Sequence, residues 1–373
     1  MPPPRISRRN LLLGSAGLLG CGPEKATRFP GYCFVANQSG RSIGVVDLTR
    51  FRAWPQIPID AAPTALLPHP ELPKAFALAP ESGVVYEIDA ASLSVSRRTR
   101  AGSRAVSMWL GPKQDALWVL YSEPKALVEI PLATLRSARR IPLAVAGTDF
   151  DVNGDRAAVA SRRDRSVVMT SLSSGAIEWT VPAHEPSILR FRPDGKQLIV
   201  GEPGRSLTIL DSASGKTVVR LPMPLEPRNF CFGGEGNGQL FVTGPGVDAV
   251  VVVYPYQTEV AETRLAGRAP DAMASVDQYL LIANPETNSV TVLSTDDYRR
   301  IAQVQVGQEP HHILVTPDRQ YALVLNERSG DVAVIRIAAF AQSRDKSRWN
   351  SAPLFTLIPV GEKPVSATVV RLA

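Results

Sequence analysis

The sequence lacks the motifs that mark several classes of protein. Its three cysteines form no C-x-x-C or C-x-x-C-H pattern, which argues against a four-cysteine zinc site and against covalent c-type haem. No Lys/Arg run interleaved with aromatic residues occurs, so we predict no nucleic-acid binding. G-x-S-x-G, H-E-x-x-H and an obvious acid/base pair of carboxylates are also absent. These absences favour a non-catalytic role but leave enzymatic activity open, because a site can be assembled from distant segments.

The chain also has no apolar run long enough to span a bilayer. The apolar stretch Leu11–Gly20 has about ten residues, whereas a spanning helix needs roughly 20. Arg5, Arg8 and Arg9 precede it, and a basic start followed by a short apolar core is typical of a secretory signal. We therefore predict a signal peptide over residues 1–20; a buried apolar N-terminal helix is the alternative.

Two short motifs suggest the export route and the anchor. The segment 7–12, with Arg8 and Arg9, resembles a twin-arginine export signal, and Leu18-Leu19-Gly20-Cys21 resembles the lipobox of bacterial lipoproteins. The second resemblance implies cleavage before Cys21, diacylation of its thiol and a lipidated tether over residues 21–28. The protein is then expected in the cell envelope, anchored to a membrane and facing the periplasm. Gly22 is not the aspartate that marks inner-membrane retention in some bacteria, which favours the outer membrane.

The net charge and the cysteines indicate little about binding partners. Removing residues 1–20 lowers the formal charge from +6 to +3, so the mature chain is mildly basic. Cys33 and Cys231 lie in apolar runs, YCFVAN and NFCFGG. We predict buried free thiols; a disulfide in an oxidising compartment is the alternative.

A repeat of about 41 residues dominates the rest of the chain. The segments beginning at Glu185 and Glu309 both read Glu-Pro, apolar run, Pro-Asp turn, apolar run, Gly/Ser turn, apolar run. Each unit opens with a proline or its equivalent. These openings are Pro63, Arg104, Gly147, Pro186, Pro227, Pro270, Pro310 and Pro364, with Arg104 and Gly147 in two degenerate units. The last interval is longer, which predicts an inserted loop over residues 338–353.

The repeat predicts an all-β fold, a single β-propeller over residues 29–373. Each unit has four short runs rich in Val, Ile and Leu, the pattern of a four-stranded antiparallel meander. One such unit cannot bury both faces, whereas a ring of units can. The first unit begins at its second strand, near Tyr32, and a lone first strand begins at Lys363. We therefore expect the C-terminal strand to close the ring of eight blades, or of seven if a degenerate unit forms no blade.

The repeat resembles a known family. The elements Pro-Asp-Gly-Lys, IVG or LIAN, and SVTVL resemble the YVTN/YncE-type bacterial propeller repeat over nearly all of the mature chain. Related architectures include the haem d1 propellers of nitrite reductases and the lactonase-type propellers. The motif specifies blades and is only weakly tied to an activity.

Candidate site residues follow from the register of the repeat. The residues after each opening begin the innermost strand, so their side chains should gather at one mouth of the ring. In three consecutive units, the first positions are Arg228, Asp271 and His311. Second positions add Asn229, His312 and, on another unit, Asp149. His69 and His184 also lie close to unit openings and are expected near the same face.

The polar residues expected at this mouth are compatible with several functions. We predict a monomeric, non-catalytic scaffold or ligand-binding module, whose partner is an envelope protein or a small ligand. The alternatives are a cofactor-binding propeller, haem d1-like or redox-related, and a lactonase-like metal-dependent hydrolase at the same mouth. A histidine there could be an axial ligand, a proton donor or a metal ligand, or it could simply bond a neighbouring blade. The sequence names no cofactor and no metal site.

Four other segments resemble sites but are better explained as structure. Residues 149–155 read D-x-D-x-N-G-D, like a calcium loop, but the twelfth position is Ala160 instead of glutamate. We predict a hairpin turn there and another at the glycine-rich segment 233–238. The basic segment 161–166 should be a solvated loop. The basic segment 343–348 is a surface candidate for anionic lipid or a partner.

Overall fold

The structure, a computed structural model, describes residues 29–233, 238–341 and 352–372. It contains eight four-stranded antiparallel sheets arranged as the blades of a β-propeller. The predicted signal peptide, Cys21 with its tether, the middle of the glycine-rich segment and the basic segment 343–348 lie outside the described residues. Among the described residues, helix is limited to α1 (Ala338–Ala341) and a 3-10 turn at Pro285–Thr287. In the part of the chain that the structure describes, no helix has the length and apolarity needed to cross a bilayer.

The strand bounds of the first four blades, in chain order, are β1 Gly31–Asn37, β2 Ser42–Asp47, β3 Arg52–Pro58, β4 Ala65–Pro68, β5 Lys74–Ala79, β6 Val84–Asp89, β7 Ser94–Arg100, β8 Arg104–Leu110, β9 Ala116–Glu123, β10 Lys125–Pro131, β11 Arg139–Pro142, β12 Asp149–Asn153, β13 Arg156–Ser161, β14 Ser166–Ser171 and β15 Ile177–Pro182. Those of the last four blades and the closing strand are β16 Ile188–Phe191, β17 Gln197–Glu202, β18 Ser206–Asp211, β19 Thr217–Pro222, β20 Asn229–Gly233, β21 Gln239–Thr243, β22 Ala249–Tyr254, β23 Glu259–Leu265, β24 Met273–Val276, β25 Tyr279–Asn284, β26 Ser289–Ser294, β27 Arg300–Gln305, β28 Pro310–Val315, β29 Tyr321–Asn326, β30 Asp331–Arg336, β31 Leu354–Pro359 and β32 Pro364–Arg371.

Ring closure and the eight-blade count are confirmed. Blade 1 has the order β3-β2-β1-β32, so its innermost strand is the last strand of the chain. Gly31 pairs with Arg371 and Asn37 with Pro364, which leaves β1 no free edge. The two degenerate units form complete blades, β8–β11 and β12–β15, and this rules out the seven-blade alternative. The insertion connects β30 to β31, and it begins with α1.

The apolar core lies between the blades. The described residues form eight apolar clusters, and each joins two adjacent blades. Phe34 of blade 1 and Tyr86 of blade 2 belong to one such cluster, and both are fully buried. The second strand of a blade is covered on both faces, and this explains why its sequence is a continuous apolar run instead of an alternation. The outermost strand β7 alternates between exposed and half-buried residues.

A buried asparagine packs against the segment that leads into two of the blades. Asn37 closes the second strand of blade 1, is fully buried and donates from Nδ2 to the Val360 carbonyl at 2.7 Å. Its side chain packs against Gly361, where a Cβ would collide with it and where φ is +134°. Asn284 packs on Gly267 in the same way. A glycine three residues before the opening proline therefore lets the segment that leads into the blade lie directly against the end of that blade's second strand.

The two faces of the ring differ in what they carry. We call the face at which the innermost strands begin the mouth face, and the opposite one the base face. The turns between second and third strands lie on the mouth face, because second strands run antiparallel to the innermost ones. The chain enters at Phe29 on the base face, since Gly31 pairs with Arg371 at the end of β32.

A charged clamp ties blade 2 to blade 3. Glu87 is 1% exposed and accepts hydrogen bonds from Ser96 Oγ at 2.6 Å, Lys74 Nζ at 3.0 Å and Arg97. Arg97 also donates to the Leu132 carbonyl of blade 3 at 2.8 Å. Burial works against the charged carboxyl, but these donors outweigh it and lower the pKa of Glu87 to about 2.

We expect Glu87→Gln to destabilise the protein by about 1–3 kcal/mol at neutral pH, because it takes the buried carboxylate away from two partly exposed cations, Lys74 and Arg97. A carboxyl with a lowered pKa contributes stability that is fully present above its unfolded pKa and is lost as pH falls. The difference from wild type should therefore shrink between about pH 4.5 and pH 2. Denaturant unfolding across this range measures it, with the exposed Glu259→Gln as control. A pH-independent difference would contradict the clamp.

Removing residues 363–373 should lower the melting temperature by well over 10 °C, because β1 loses its whole partner strand and blade 1 its inner wall. Thermal unfolding followed by circular dichroism tests this. Lys363→Gln, which changes an exposed side chain and keeps the strand, should melt like wild type. A truncated chain that melts at the wild-type temperature would show that closure contributes little.

Candidate ligand-binding site at the mouth of the ring

Three consecutive blades join in one hydrogen-bonded chain at the mouth face. Asp271 accepts a hydrogen bond from Asn229 Nδ2 of blade 6 at 2.7 Å. Its other carboxylate oxygen lies 2.6 Å from His311 Nδ1 of blade 8. Thr243 Oγ1 donates to the Asp271 carbonyl at 2.6 Å, which fixes the backbone as well. The carboxylate therefore holds the imidazole in one orientation, although each residue comes from a different blade.

A cavity of about 660 Å³ opens beside this chain. Its lining residues are Arg228, Gly244, Pro245, Gly246, Val247, Asp248, Ala269, Pro270, Asp271, Pro285, Glu286 and His311. The three first-position residues predicted from the repeat, Arg228, Asp271 and His311, are thus brought together in one cavity. Sequence reasoning missed the wall from Gly244 to Asp248, which is the turn after β21. Its Gly-Pro-Gly composition was the available signal, because glycine lets backbone approach a ligand closely.

The electrostatics favour His311 as the group that meets a ligand. The hydrogen bond to Asp271 raises the pKa of His311; burial opposes the rise, and the nearby Glu327 and Glu309 add to it. Nδ1 is engaged, and no described residue bonds Nε2, so Nε2 is the ring nitrogen left for a ligand. The Arg228 guanidinium, 61% exposed and 3.6 Å from Glu226, is the cation of the cavity wall.

His312 differs from its neighbour in its pKa and in its position relative to the cavity. It is half-buried and is not part of the cavity lining. Burial lowers its pKa to about 4, so the ring is neutral at physiological pH. Two adjacent histidines therefore have opposite electrostatic environments, and the structure separates them where the sequence could not.

Asp149 lies in a different arc of the ring. It accepts hydrogen bonds from the Leu189 amide at 3.0 Å and from Arg190 Nη1 at 2.6 Å. Asp151, two residues on, accepts the Phe191 amide at 2.8 Å. Burial raises the pKa of both carboxyls. These two aspartates cover amide groups on the inner edge of blade 5, an edge that has no partner strand. The structure therefore gives Asp149 an architectural contact and does not bring it to His311.

The two remaining histidines lie on opposite faces of the ring, and two segments predicted as turns or loops contain turns between strands. His69 lies on the base face, because it follows the end of β4, and its Nδ1 accepts the Leu72 amide at 3.0 Å. The expectation that it shares the mouth face is therefore wrong. His184 does lie on the mouth face, exposed, in the lead-in to blade 5. Residues 149–155 form strand β12 and a turn at Gly154, as predicted. The basic segment 161–166 contains the exposed turn 162–165 between β13 and β14, and its two end residues belong to those strands.

Both described cysteines are free, as predicted. Cys33 is buried and Cys231 is partly buried. Burial raises the pKa of Cys33 to about 12 and that of Cys231 to about 11, so neither is a reactive thiolate at neutral pH.

The donor set does not fit a mononuclear metal centre. Across residues 29–233, 238–341 and 352–372, no three His, Cys, Asp or Glu side chains are grouped so that they could hold a metal ion. His311 and Asp271 offer two donors, and such a site usually takes three or four. Both oxygens of Asp271 are already hydrogen-bonded. The residues at the mouth therefore do not support the metal-dependent hydrolase alternative.

No family model matches the chain, and no curated protein is similar to it in sequence. Among the solved structures that match, "Dihydro-heme d1 dehydrogenase NirN in complex with DHE" has a TM-score of 0.73 at 14% identity, over 91% of this chain and 75% of that one. Kuenenia stuttgartiensis hydrazine synthase has a TM-score of 0.56 at 19% identity, over 86% and 99%. A functionally unknown protein from Desulfotomaculum acetoxidans DSM 771 has a TM-score of 0.62 at 10% identity, over 92% and 100%. At such identities the likeness shows the fold alone.

Asp271→Asn should lower the pKa of His311, because the amide cannot stabilise the imidazolium as the carboxylate does. NMR titration of the histidine Cε1 protons measures this. His69, on the base face and away from Asp271, provides the internal reference. An unchanged His311 titration would show that the contact with Asp271 is not maintained in solution.

Proposed function

We propose that this protein is a lipid-anchored, monomeric propeller of the cell envelope that binds a small ligand at its mouth without transforming it. The observation that carries the proposal is the Asn229–Asp271–His311 chain beside the 660 Å³ cavity. An imidazole fixed through Nδ1 presents Nε2 in a set direction, and pre-organisation of this kind reduces the entropy lost on binding. The predicted signal peptide accounts for export, and the predicted acylation of Cys21 accounts for attachment to the membrane.

The cavity wall supports binding over catalysis. No Ser, Thr, Cys, Lys or Tyr is among its described lining residues, so the His311–Asp271 pair has no side-chain nucleophile to activate. Pro245, Val247, Pro270 and Pro285 make part of the wall apolar, while Arg228 and His311 offer hydrogen-bond donors. The lining also carries the carboxylates of Asp248, Asp271 and Glu286, so a ligand with an apolar body and an uncharged acceptor group, such as a carbonyl, suits it.

A cofactor-binding propeller is the second candidate, and one observation favours it. A histidine whose Nδ1–H is bonded to a carboxylate, with Nε2 left over, is the usual arrangement of a metal-ligating imidazole. His311 would hold the iron of a haem-like group, and Arg228 could pair with its carboxylates. Such a group supplies redox chemistry when bound. The NirN structure, which has a similar fold, is a complex with the ligand DHE, although the low identity carries no binding site across.

The test is to purify the chain from its own membrane without added cofactors, and to record its absorbance spectrum, metal content and extracted small molecules. We expect a near-stoichiometric ligand that His311→Ala loses at least tenfold. The control is His184→Ala, an exposed histidine on the same face but on blade 5, which should keep the ligand.

The outcomes separate the two candidates. A visible chromophore lost in His311→Ala supports the cofactor, and a colourless ligand lost in the same variant supports the first proposal. A ligand retained by His311→Ala would contradict both, and protein that carries no ligand from any preparation would argue for a scaffold without a mouth site.

A further inference from the structure

The chain enters the ring on the face that lies away from the candidate site. Phe29, the first described residue, is only 2% exposed and lies beneath Arg371, whose guanidinium carbon is 5.4 Å from the ring centroid. Gly31 then pairs with Arg371 at the base end of β32. The His311 cavity lies at the other ends of the strands, on the mouth face. A membrane anchor upstream of Phe29 would therefore join the ring from its base.

Five arginines lie on the base face around this entry, and we call them the base arginines. They are Arg50, Arg52 and Arg371 of blade 1 and Arg319 and Arg336 of blade 8. Among the described residues on the base of these two blades, the carboxylates are Asp47 and Asp318, and both accept hydrogen bonds from their own turns. The described base of blades 8 and 1 is therefore a net positive surface.

Aromatic rings hold three of the base arginines in place. Arg336 lies 4.2 Å from the ring centroid of Phe355, and Arg52 lies 5.2 Å from that of Trp54. Arg371 makes the third such contact, with Phe29. Each ring covers one face of a guanidinium and leaves its edge available for other contacts. Arg50, 62% exposed, is 3.9 Å from Asp47, too far for a hydrogen bond.

The patch has a limited extent. On the neighbouring blade 7, three aspartates (Asp277, Asp296 and Asp297) and two arginines (Arg299 and Arg300) lie at the base, and Asp277 accepts a hydrogen bond from Arg319 at 3.2 Å. The excess of positive charge therefore ends at blade 7, and the positive surface includes the point where the chain enters.

We propose that the base arginines dock on the anionic surface of a phospholipid bilayer, so that the ring sits on its base and the mouth faces away from the membrane. This inference rests on the proposed function, in which the acylated Cys21 attaches the chain to a membrane. Residues 21–28 reach at most about 29 Å when fully extended, so the anchor alone keeps the base near the headgroups without fixing its orientation. Arginines near an anionic leaflet fix it, because each contributes to binding within a Debye length of the surface.

The charge contribution is tested without the acyl chains. The mature chain with Cys21→Ser is mixed with phosphatidylcholine vesicles that contain or lack phosphatidylglycerol, and bound protein is measured by sedimentation. We expect binding only to the anionic vesicles, and a fall of at least tenfold in the partition coefficient of Arg50→Gln/Arg52→Gln, at about fivefold per arginine.

The matched control removes two exposed arginines from turns of the mouth face. Arg41→Gln/Arg163→Gln has the same net charge as the base variant and should bind like the parent chain. Equal losses in the two variants would mean a non-specific charge effect and would overturn the proposal, as would equal binding to neutral vesicles. Melting temperatures of both variants confirm that the ring is intact.

Orientation is measured on the acylated chain in the same anionic vesicles. A fluorophore is placed at Ala91→Cys, exposed on the base of blade 2, or at Ser39→Cys, exposed on the mouth face of blade 1. Lipids with nitroxide-labelled headgroups should quench the first label at least twice as strongly as the second. Equal quenching, or stronger quenching at Ser39→Cys, would contradict the orientation. Neither assay involves the mouth ligand, so their failure leaves the proposed function untouched, and the reverse also holds.

Discussion

Packing between blades is the interaction on which the rest of this structure depends. Each blade has two apolar faces, and the eight apolar clusters each join one blade to the next, so no blade can bury its faces alone. Strand β32 completes the arrangement, because it supplies blade 1 with its innermost strand and gives β1 a partner along seven residue pairs. Closed packing explains why even the two units with degenerate openings, at Arg104 and Gly147, form full blades: a blade missing from the ring would leave two apolar faces exposed.

Closure also brings the start of every innermost strand to one face. Asn229, Asp271 and His311 are about 40 residues apart in sequence and are hydrogen-bonded in space, because blades 6, 7 and 8 adjoin. The same geometry has a structural cost, since innermost strands keep one unpaired edge. Asp149 and Asp151 cover amides on that edge in blade 5, and Ser366 accepts the Leu66 amide in blade 2 at 3.2 Å. Polar residues at equivalent positions of the repeat can thus serve the scaffold or a site.

The two faces of the ring take on separate tasks in the proposals. The mouth face carries the carboxylate-held histidine and its cavity, and the base face carries the chain entry and five arginines. A ligand in the aqueous compartment would reach His311 without passing the lipid surface. This division follows from strand direction alone, since the first described strand begins where the innermost strand of its blade ends.

The sequence by itself determined the architecture. The 41-residue period set the blade number, the half-units at the two ends set the closure, and the first strand positions placed Arg228, Asp271 and His311 at one mouth, because neighbouring repeats superpose in a ring. Only the tertiary structure decided which polar residues act together. The Asp271–His311 bond, the neutral His312, the base position of His69 and the role of Asp149 depend on side-chain direction and burial. A repeat register does not specify them, because irregularities such as the register shift between Pro310 and His312 interrupt the regular alternation of side chains along a strand.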